Sequence, residues 1–208
     1  MYSDKALTTL RFALQDDSVE IRNAAVEALR LAGVPAIPVL IEALQIDRPD
    51  IRRLAAEALR FRSTNMERYP GMDLVCKEPE LPVALVADIR AALLRALCDG
   101  VPAVRMAATR AIGQYVTPND DAVVFKLRGA LQDEDVGVRM GAISTLQTLG
   151  VANPKELVDI ALEGLASDDI DHLNSACWLL LKGVREISGA EVSAAVTESA
   201  DARPLIET

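Results

Sequence analysis

The side chains with the most regular spacing in this sequence are arginines that each follow an acidic residue. Each of four arginines has a leucine eight positions earlier and an alanine three positions later. A guanidinium donates paired hydrogen bonds to carboxylates and carbonyls, so these residues could bind anions or cross-link parts of the fold. Because the same arginine recurs along the chain, the pattern predicts a shared structural ladder instead of one active site. The ladder residues are Arg22, Arg52, Arg105 and Arg139, with the acids Asp16, Asp47, Asp99 and Asp133.

Other residues that could catalyse a reaction or bind a metal are sparse. The chain has one histidine, His172, and three cysteines, Cys76, Cys98 and Cys177, which lack the CxxC spacing of a zinc site. It also lacks a GxSxG nucleophile motif and a phosphate-binding glycine motif. Cys98 and Cys177 fall within apolar helical patterns, which predicts small core residues. We therefore expect no metal, no cofactor and no catalytic residue, which favours a protein that is not an enzyme and leaves enzymatic activity open.

The elements that carry the arginines are helices, and the helices come in pairs. Apolar residues recur at helical spacing from about residue 4 to 15 and again from about 19 to 31. The stretch QDDS between them can cap the second helix, and Gly33 and Pro35 can end it. Successive ladder arginines lie 30, 53 and 34 residues apart. This spacing indicates stacked helix pairs that bury their apolar faces against each other.

The repeated stretch LQDDSVEIRNAAVEAL resembles the HEAT repeat family, specifically the short bacterial repeats also found in phycobilisome lyases. The resemblance implies an all-α fold, a right-handed α-solenoid of about five stacked antiparallel helix pairs whose second helices line a concave binding face. It covers about residues 4 to 185. The residues that carry it, with their counterparts in the next three copies, are Leu14, Asp16, Val19, Arg22, Ala24, Ala25, Ala28 and Leu29.

The predicted organisation is a single repeat domain over residues 1–187. An inserted loop, residues 63–82, separates the second and third repeats and carries Tyr69 among several apolar residues, so it either folds back over a neighbouring groove or contacts a partner. The fifth repeat has Leu173 in place of the arginine, as is common in terminal repeats. Residues 188–208 are predicted to form a short helix and a mobile tail. The repeats span about 4–33, 34–62, 83–116, 118–150 and 153–185.

The charge of the chain argues against a nucleic-acid partner. Its formal net charge is −9, from 22 basic and 31 acidic residues. A protein that binds nucleic acid by neutralising phosphates needs the opposite balance. No apolar run approaches the roughly 18 residues of a membrane span, and the first residues lack the order of a signal peptide. We expect a cytoplasmic protein that binds neither nucleic acid nor membrane.

Candidate binding residues lie on the second helices, at positions opposite the core. In the first two repeats these positions carry mixed charges, and in the last three they are more apolar. Methionine adapts to binding surfaces, and tryptophan is enriched among residues that dominate binding energy. Arginines in the same rows could contact carboxylates of a partner. The predicted partner-binding residues are Arg53, Arg60, Tyr69, Met106, Arg110, Met140, Ser144 and Trp178.

These observations favour a non-catalytic scaffold or adaptor that binds another protein in its concave groove. The resemblance leaves two alternatives open. The first is a bilin lyase or chaperone that acts on phycobiliproteins. The second is a HEAT-like DNA glycosylase, which would need a basic groove, and the acidic charge of the chain argues against it. The sequence indicates neither the identity of the partner nor the oligomeric state.

Overall fold

A computed structural model describes residues 4–60, 81–166 and 168–186, and all regular structure in these ranges is helical. Contacts divide the chain into an N-terminal unit, up to Val116, and a C-terminal unit, from Thr117. The N-terminal unit contains α1 (Asp4–Ala13), α2 (Val19–Ala32), a short 3-10 helix (Val34–Ala36), α3 (Ile37–Ala43), α4 (Pro49–Arg60), α5 (Val83–Ala96) and α6 (Pro102–Ile112). The C-terminal unit contains α7 (Asp121–Ala130), α8 (Val136–Thr148), α9 (Pro154–Leu165) and α10 (Ile170–Glu186).

The predicted all-α fold of about five helix pairs is confirmed in the described residues. In each pair the first helix contacts the second, and within a unit consecutive second helices also contact each other, as α2 does α4 and α4 does α6. The single domain over residues 1–187 stays a prediction. The predicted loop at 63–82 falls mostly on residues 61–80, which lie outside the described residues, as does the C-terminal segment 188–208.

Local signals explain where the second helices begin. Ser18 precedes α2 and its hydroxyl accepts a hydrogen bond from the N–H of Ile21 at 3.3 Å. Asp135 caps α8 in the same way, because its carboxylate accepts the N–H of Val138 at 3.0 Å. At the end of α2, Gly33 adopts a φ of 71°, which a residue with a side chain rarely adopts. These caps satisfy backbone groups that have no partner within the helix.

The core consists mainly of alanine, leucine, isoleucine and valine, which come from every described helix except α1. On α4, for example, Ile51, Ala55 and Leu59 are all fully buried. Small alanines between the larger side chains let neighbouring helices approach closely. No described helix is both long enough and apolar enough to cross a membrane.

A buried tyrosine at the end of the N-terminal unit forms hydrogen bonds with α4 and α5. The hydroxyl of Tyr115, just after α6, donates a 2.6 Å hydrogen bond to the carbonyl of Leu59 near the end of α4. The carbonyl of Tyr115 accepts hydrogen bonds from Nε and Nη2 of Arg90 at 3.2 and 3.0 Å. One residue thus satisfies a helix-end carbonyl of α4 and is itself held by α5.

A close contact between α9 and α10 in the C-terminal unit depends on a glycine. A Cβ atom placed on Gly164 of α9 would lie 2.5 Å from Sδ of Met140 and 2.9 Å from Cβ of Ala176. The 2.9 Å distance leaves no room for a methyl group, because the Cβ of Ala176 is fixed to the backbone of α10 and cannot rotate away. Gly164 therefore sets the spacing of α9 and α10.

We expect Gly164→Ala to lower the free energy of unfolding by about 1–3 kcal/mol, because the added methyl group overpacks this contact. Gly129→Ala is the matched control, since a Cβ at Gly129 of α7 meets no atom within 4 Å. Alanine favours helix over glycine, so the control should be neutral or slightly stabilising. Urea unfolding followed by circular dichroism measures both, and equal effects would contradict the packing argument.

Candidate interaction surface

The four ladder arginines hold the turn that precedes their own helix. In every case Nη1 donates a hydrogen bond to the carbonyl oxygen of the residue six positions earlier. Arg22 and Arg105 are buried, and the other two are half-buried. The pairs are Arg22–Asp16, Arg52–Ile46, Arg105–Asp99 and Arg139–Asp133, with N–O distances of 2.9, 2.9, 2.9 and 2.6 Å.

Three of these arginines also bind a carboxylate in the following helix pair. Each uses Nε and Nη2, so the guanidinium bridges two repeats with separate edges. Arg22 binds Asp50 at 3.0 and 2.6 Å, Arg52 binds Asp99 at 2.7 and 3.0 Å, and Arg139 binds Glu163 at 2.9 and 2.7 Å. These hydrogen bonds support the predicted structural role, which stays a prediction until stability is measured.

The predicted acids do not act alike. The carboxylates of Asp16, Asp99 and Asp133 each accept the backbone N–H two residues later, at 2.8, 2.9 and 2.9 Å, and that of Asp99 also binds Arg52. Asp47 is exposed and stands one position out of step, because Ile46 takes the place six residues before the arginine. Asp50 and Glu163, the carboxylates that bind Arg22 and Arg139, were not predicted from the sequence. The available signal at Asp50 was an acid in the first turn of α4, 28 residues after Arg22.

The ion pairs shift the pKa of their carboxyl groups. Burial raises the pKa of Asp99. Hydrogen bonds from Arg52 and the N–H of Val101, with the charges of Arg52 and Arg105, lower it by more than burial raises it, so the pKa of Asp99 lies below its ordinary value. Burial likewise raises the pKa of Asp50, and the hydrogen bond and charge of Arg22 outweigh that effect. Both carboxyl groups are thus stabilised in the ionised form by neighbouring arginines.

On the side of α2 and α4 that faces away from the core, the charged side chains largely neutralise each other. Nη1 of Arg53 lies 2.7 Å from Oε1 of Glu57, one turn further along α4. Arg30 donates two hydrogen bonds to the carboxylate of Glu27 on α2. The other predicted contacts in this unit, Arg60, Met106 and Arg110, are half-buried. A surface of this kind offers a partner polar contacts with little net attraction for acidic groups.

In the C-terminal unit one of the three predicted contacts is buried and the other two are accessible, and Leu181, which was not among the predicted contacts, is exposed beside Trp178. The prediction that Met140 belongs to a binding surface is wrong, because its side chain is 1% exposed. The reason is Gly164, whose missing side chain leaves space that Met140 Sδ fills. Ser144 is half-buried. On α10, Trp178 is 53% exposed and Leu181, three residues later, is 70% exposed.

The remaining residues that could react or bind a metal are the cysteines, and those in the described residues are not part of a metal-binding group. Cys98 and Cys177 are exposed, so their predicted core positions are wrong. Cys98 follows Leu97 where other repeats have an exposed glutamine, as at Gln15 and Gln45. Across the described ranges, no group of three or more His, Cys, Asp or Glu side chains is placed to hold a metal ion. Tyr69 and Cys76 lie outside the described residues.

This geometry defines a protein of repeated helix pairs, joined through arginines at the start of the second helices. A family model for HEAT repeats matches residues 1–60 and 92–181, so the chain belongs to the HEAT repeat family. The matched ranges leave out the inserted segment between the second and third repeats. No curated protein matches the sequence.

Crystal structures of engineered proteins are similar to this chain. One has 18% sequence identity and a TM-score of 0.50, and the match covers 95% of this chain and 90% of the engineered one. Another has 15% identity and a TM-score of 0.48, with 94% and 95% covered. At 18% identity, the likeness to the first extends to the fold alone.

We expect Arg52→Ala to lower the free energy of unfolding by about 2–3 kcal/mol, because it removes charged hydrogen bonds to Ile46 and Asp99. Arg53→Ala is the matched control at the adjacent position. Its ion pair with Glu57 is more exposed, so the loss should stay below about 1 kcal/mol. Urea unfolding measures both, and similar losses in the two variants would remove the structural distinction between these arginines.

The lowered pKa of Asp99 predicts acid sensitivity. A carboxyl group whose folded pKa lies below its unfolded value of about 3.9 stabilises the fold above that value, and the contribution disappears as pH falls through the folded pKa. We expect wild type to be more stable than Asp99→Asn at neutral pH, with the difference narrowing from about pH 5 downward. Asp88→Asn, at an exposed aspartate of α5, is the control. Thermal unfolding across this pH range measures the stability of each variant. A stability difference between wild type and Asp99→Asn that does not change with pH would contradict the prediction.

Proposed function

We propose that this protein is a non-catalytic interaction module that binds a partner protein through the outward face of its second helices. The observation that carries the proposal is the pair of exposed apolar side chains on α10, Trp178 and Leu181. They lie one helical turn apart, so a partner can contact both at once.

The comparison with other repeats shows why this pair is unusual. The positions that correspond to Trp178 in the first two helix pairs carry Glu27 and Glu57, and those that correspond to Leu181 carry arginines. Polar side chains are compatible with the fold at these places, so packing does not require an indole or a leucine there. Tryptophan is enriched among the residues that dominate binding energy. Burial of both side chains by a partner would gain apolar contact area that the free protein leaves in water.

The N-terminal unit offers a second, separate set of contacts. Met106 and Arg110 are half-buried on α6, and Arg53 and Arg60 are half-buried on α4. Since Arg53 already pairs with Glu57, these residues would add orientation and specificity more than attraction. A scaffold that works inside the cytoplasm fits this proposal.

The finer resemblance to phycobilisome-lyase repeats stays a prediction. A bilin lyase or chaperone would bind an open-chain tetrapyrrole, whose visible absorption changes when the pigment is immobilised. Titration of the protein into a free bilin therefore tests this alternative directly, and an unchanged spectrum would eliminate it.

We expect Leu181→Glu to weaken binding of the partner at least thirtyfold, the equivalent of about 2 kcal/mol at a central contact. The partner is first isolated by affinity capture on the wild-type chain. Phe125→Glu is the matched control, because Phe125 is an equally exposed apolar residue on α7. Trp178 is the only tryptophan and remains in both variants, so its fluorescence reports binding.

A blue shift of Trp178 emission on addition of the partner, lost in Leu181→Glu and kept in Phe125→Glu, is the expected result. If the captured protein binds all three chains equally and leaves the emission unchanged, the α10 face is not the binding surface.

A further inference from the structure

Gln147, near the end of α8, carries a buried amide group that forms no hydrogen bond within the described part of the chain. The residue is 6% exposed, and both amide atoms, Nε2 and Oε1, are without a partner there. Such an amide has lost its hydrogen bonds to water and gained none in the protein, which lowers the stability of the fold. Because buried polar groups are nearly always satisfied, this exception indicates a role other than packing.

The fold itself does not require an amide at this position. The corresponding residue of the first helix pair is Arg30, which donates hydrogen bonds to Glu27. The corresponding residue of the last pair is Leu181, an apolar side chain on the surface that carries the proposed binding function. The helix pairs therefore form with a charged or an apolar residue at the place that Gln147 occupies.

Gln147 lies beside the proposed binding surface. It follows Met140 by two helical turns, so both residues lie on the face of α8 that packs against Gly164 of α9. Helix α8 also contacts α10, where Leu181 is the counterpart of Gln147. Packed helices lie about 8–10 Å apart, a distance that about three residues of an extended chain span. A partner segment that covers Leu181 can therefore reach Gln147.

The amide can reach such a segment through rotation of its own side chain. Ser144, one turn earlier on α8, is half-buried, and Thr148, the next residue, is exposed. Gln147 thus borders the part of α8 that water reaches. In its buried position the amide forms no hydrogen bond with the described residues that rotation would have to break. Turning toward the surface therefore costs little.

The hydrogen-bonding groups of the amide select the conformation of the partner segment. Nε2 donates and Oε1 accepts, so the amide complements a site that offers an acceptor and a donor side by side. In an extended chain the N–H and C=O of one residue point to the same side, where a neighbour can bind both. In a helix these groups are bonded to each other except at the ends. An extended segment can satisfy Gln147, whereas the middle of a helix cannot.

We propose that Gln147 binds the main chain of a partner segment in extended conformation, while side chains of that segment contact Trp178 and Leu181. This binding mode rests on the proposed function, since both use the surface of α10, and it adds which kind of segment binds there. Alternate side chains of an extended chain point to opposite faces. Every second side chain of the segment, apolar in character, therefore meets α10, and the bound main chain satisfies the amide that the free protein leaves unsatisfied.

Thermal unfolding of the free protein gives the first test. Gln147→Leu removes the unsatisfied amide and keeps a side chain of similar size, so the Tm should rise by about 2 °C or more. Gln132→Leu, the same change at an exposed glutamine, is the matched control and should not raise the Tm. A Tm of Gln147→Leu that is unchanged or lower would mean that the amide is satisfied in the free protein, for example by an ordered water, and would overturn the proposal.

A library of synthetic ten-residue peptides tests the binding mode. A peptide is chosen that binds the wild type and does not bind Leu181→Glu, and each of its amides is then N-methylated in turn. At one position the N-methyl group should weaken binding to the wild type about tenfold, because it removes the N–H that Oε1 accepts. Gln147→Leu should bind the unmodified peptide about tenfold more weakly than the wild type does, and N-methylation at that position should cause no further loss.

Failure of this binding mode and failure of the proposed function give different results. If binding depends on Leu181 but is unchanged in Gln147→Leu, α10 remains the binding surface and the role of Gln147 is wrong. If no peptide binds through Leu181, the extended segment is wrong, and the protein captured by the wild-type chain still tests the surface of α10. Circular dichroism verifies that each variant is folded.

Discussion

The structure depends on a guanidinium that forms hydrogen bonds in two directions. One edge of the group binds the carbonyl six residues back and thereby fixes the turn between the two helices of a pair. The other edge binds a carboxylate in the next pair, as Arg52 binds Asp99. The same residue thus binds both the turn within its own repeat and the next repeat. Because arginine is charged at all accessible pH values and its five N–H groups are rigidly arranged, neither lysine nor histidine could replace it in both roles.

Around these polar junctions the helices are held by small apolar side chains, and this leaves the outward faces free to vary. The face of α4 carries an internal ion pair, whereas the face of α10 carries Trp178 and Leu181. A repeat protein of the HEAT family can therefore change the chemistry of one surface without altering the core. Here the change from charged to apolar side chains distinguishes the last helix pair from the first two and provides the basis for the proposed binding function.

The helices and their pairing could be predicted because their signals are local. The second helix of the first pair was expected from about 19 to 31 and spans Val19–Ala32, since Ser18 caps its start and Gly33 ends it. The exposure of Trp178 also follows from helical period. The acid that each arginine binds could not be predicted, because Asp50, Asp99 and Glu163 occupy different places in their repeats and their approach depends on how the pairs stack. The burial of Met140 depends on the absence of a side chain at Gly164, in another helix.

The partner atom within the repeat is a backbone oxygen, and this has a consequence for how such a chain can evolve. Any residue supplies a carbonyl, so the turn tolerates Ile46 where the other repeats have aspartate. On the neighbouring repeat, the only requirement is a carboxylate within reach, whatever its position. A helix pair that is duplicated, deleted or exchanged would therefore connect to new neighbours without matched changes in them. The arginine connects different helix pairs through the same kinds of hydrogen bond. The number of pairs can therefore change by recombination while these hydrogen bonds are kept at each junction.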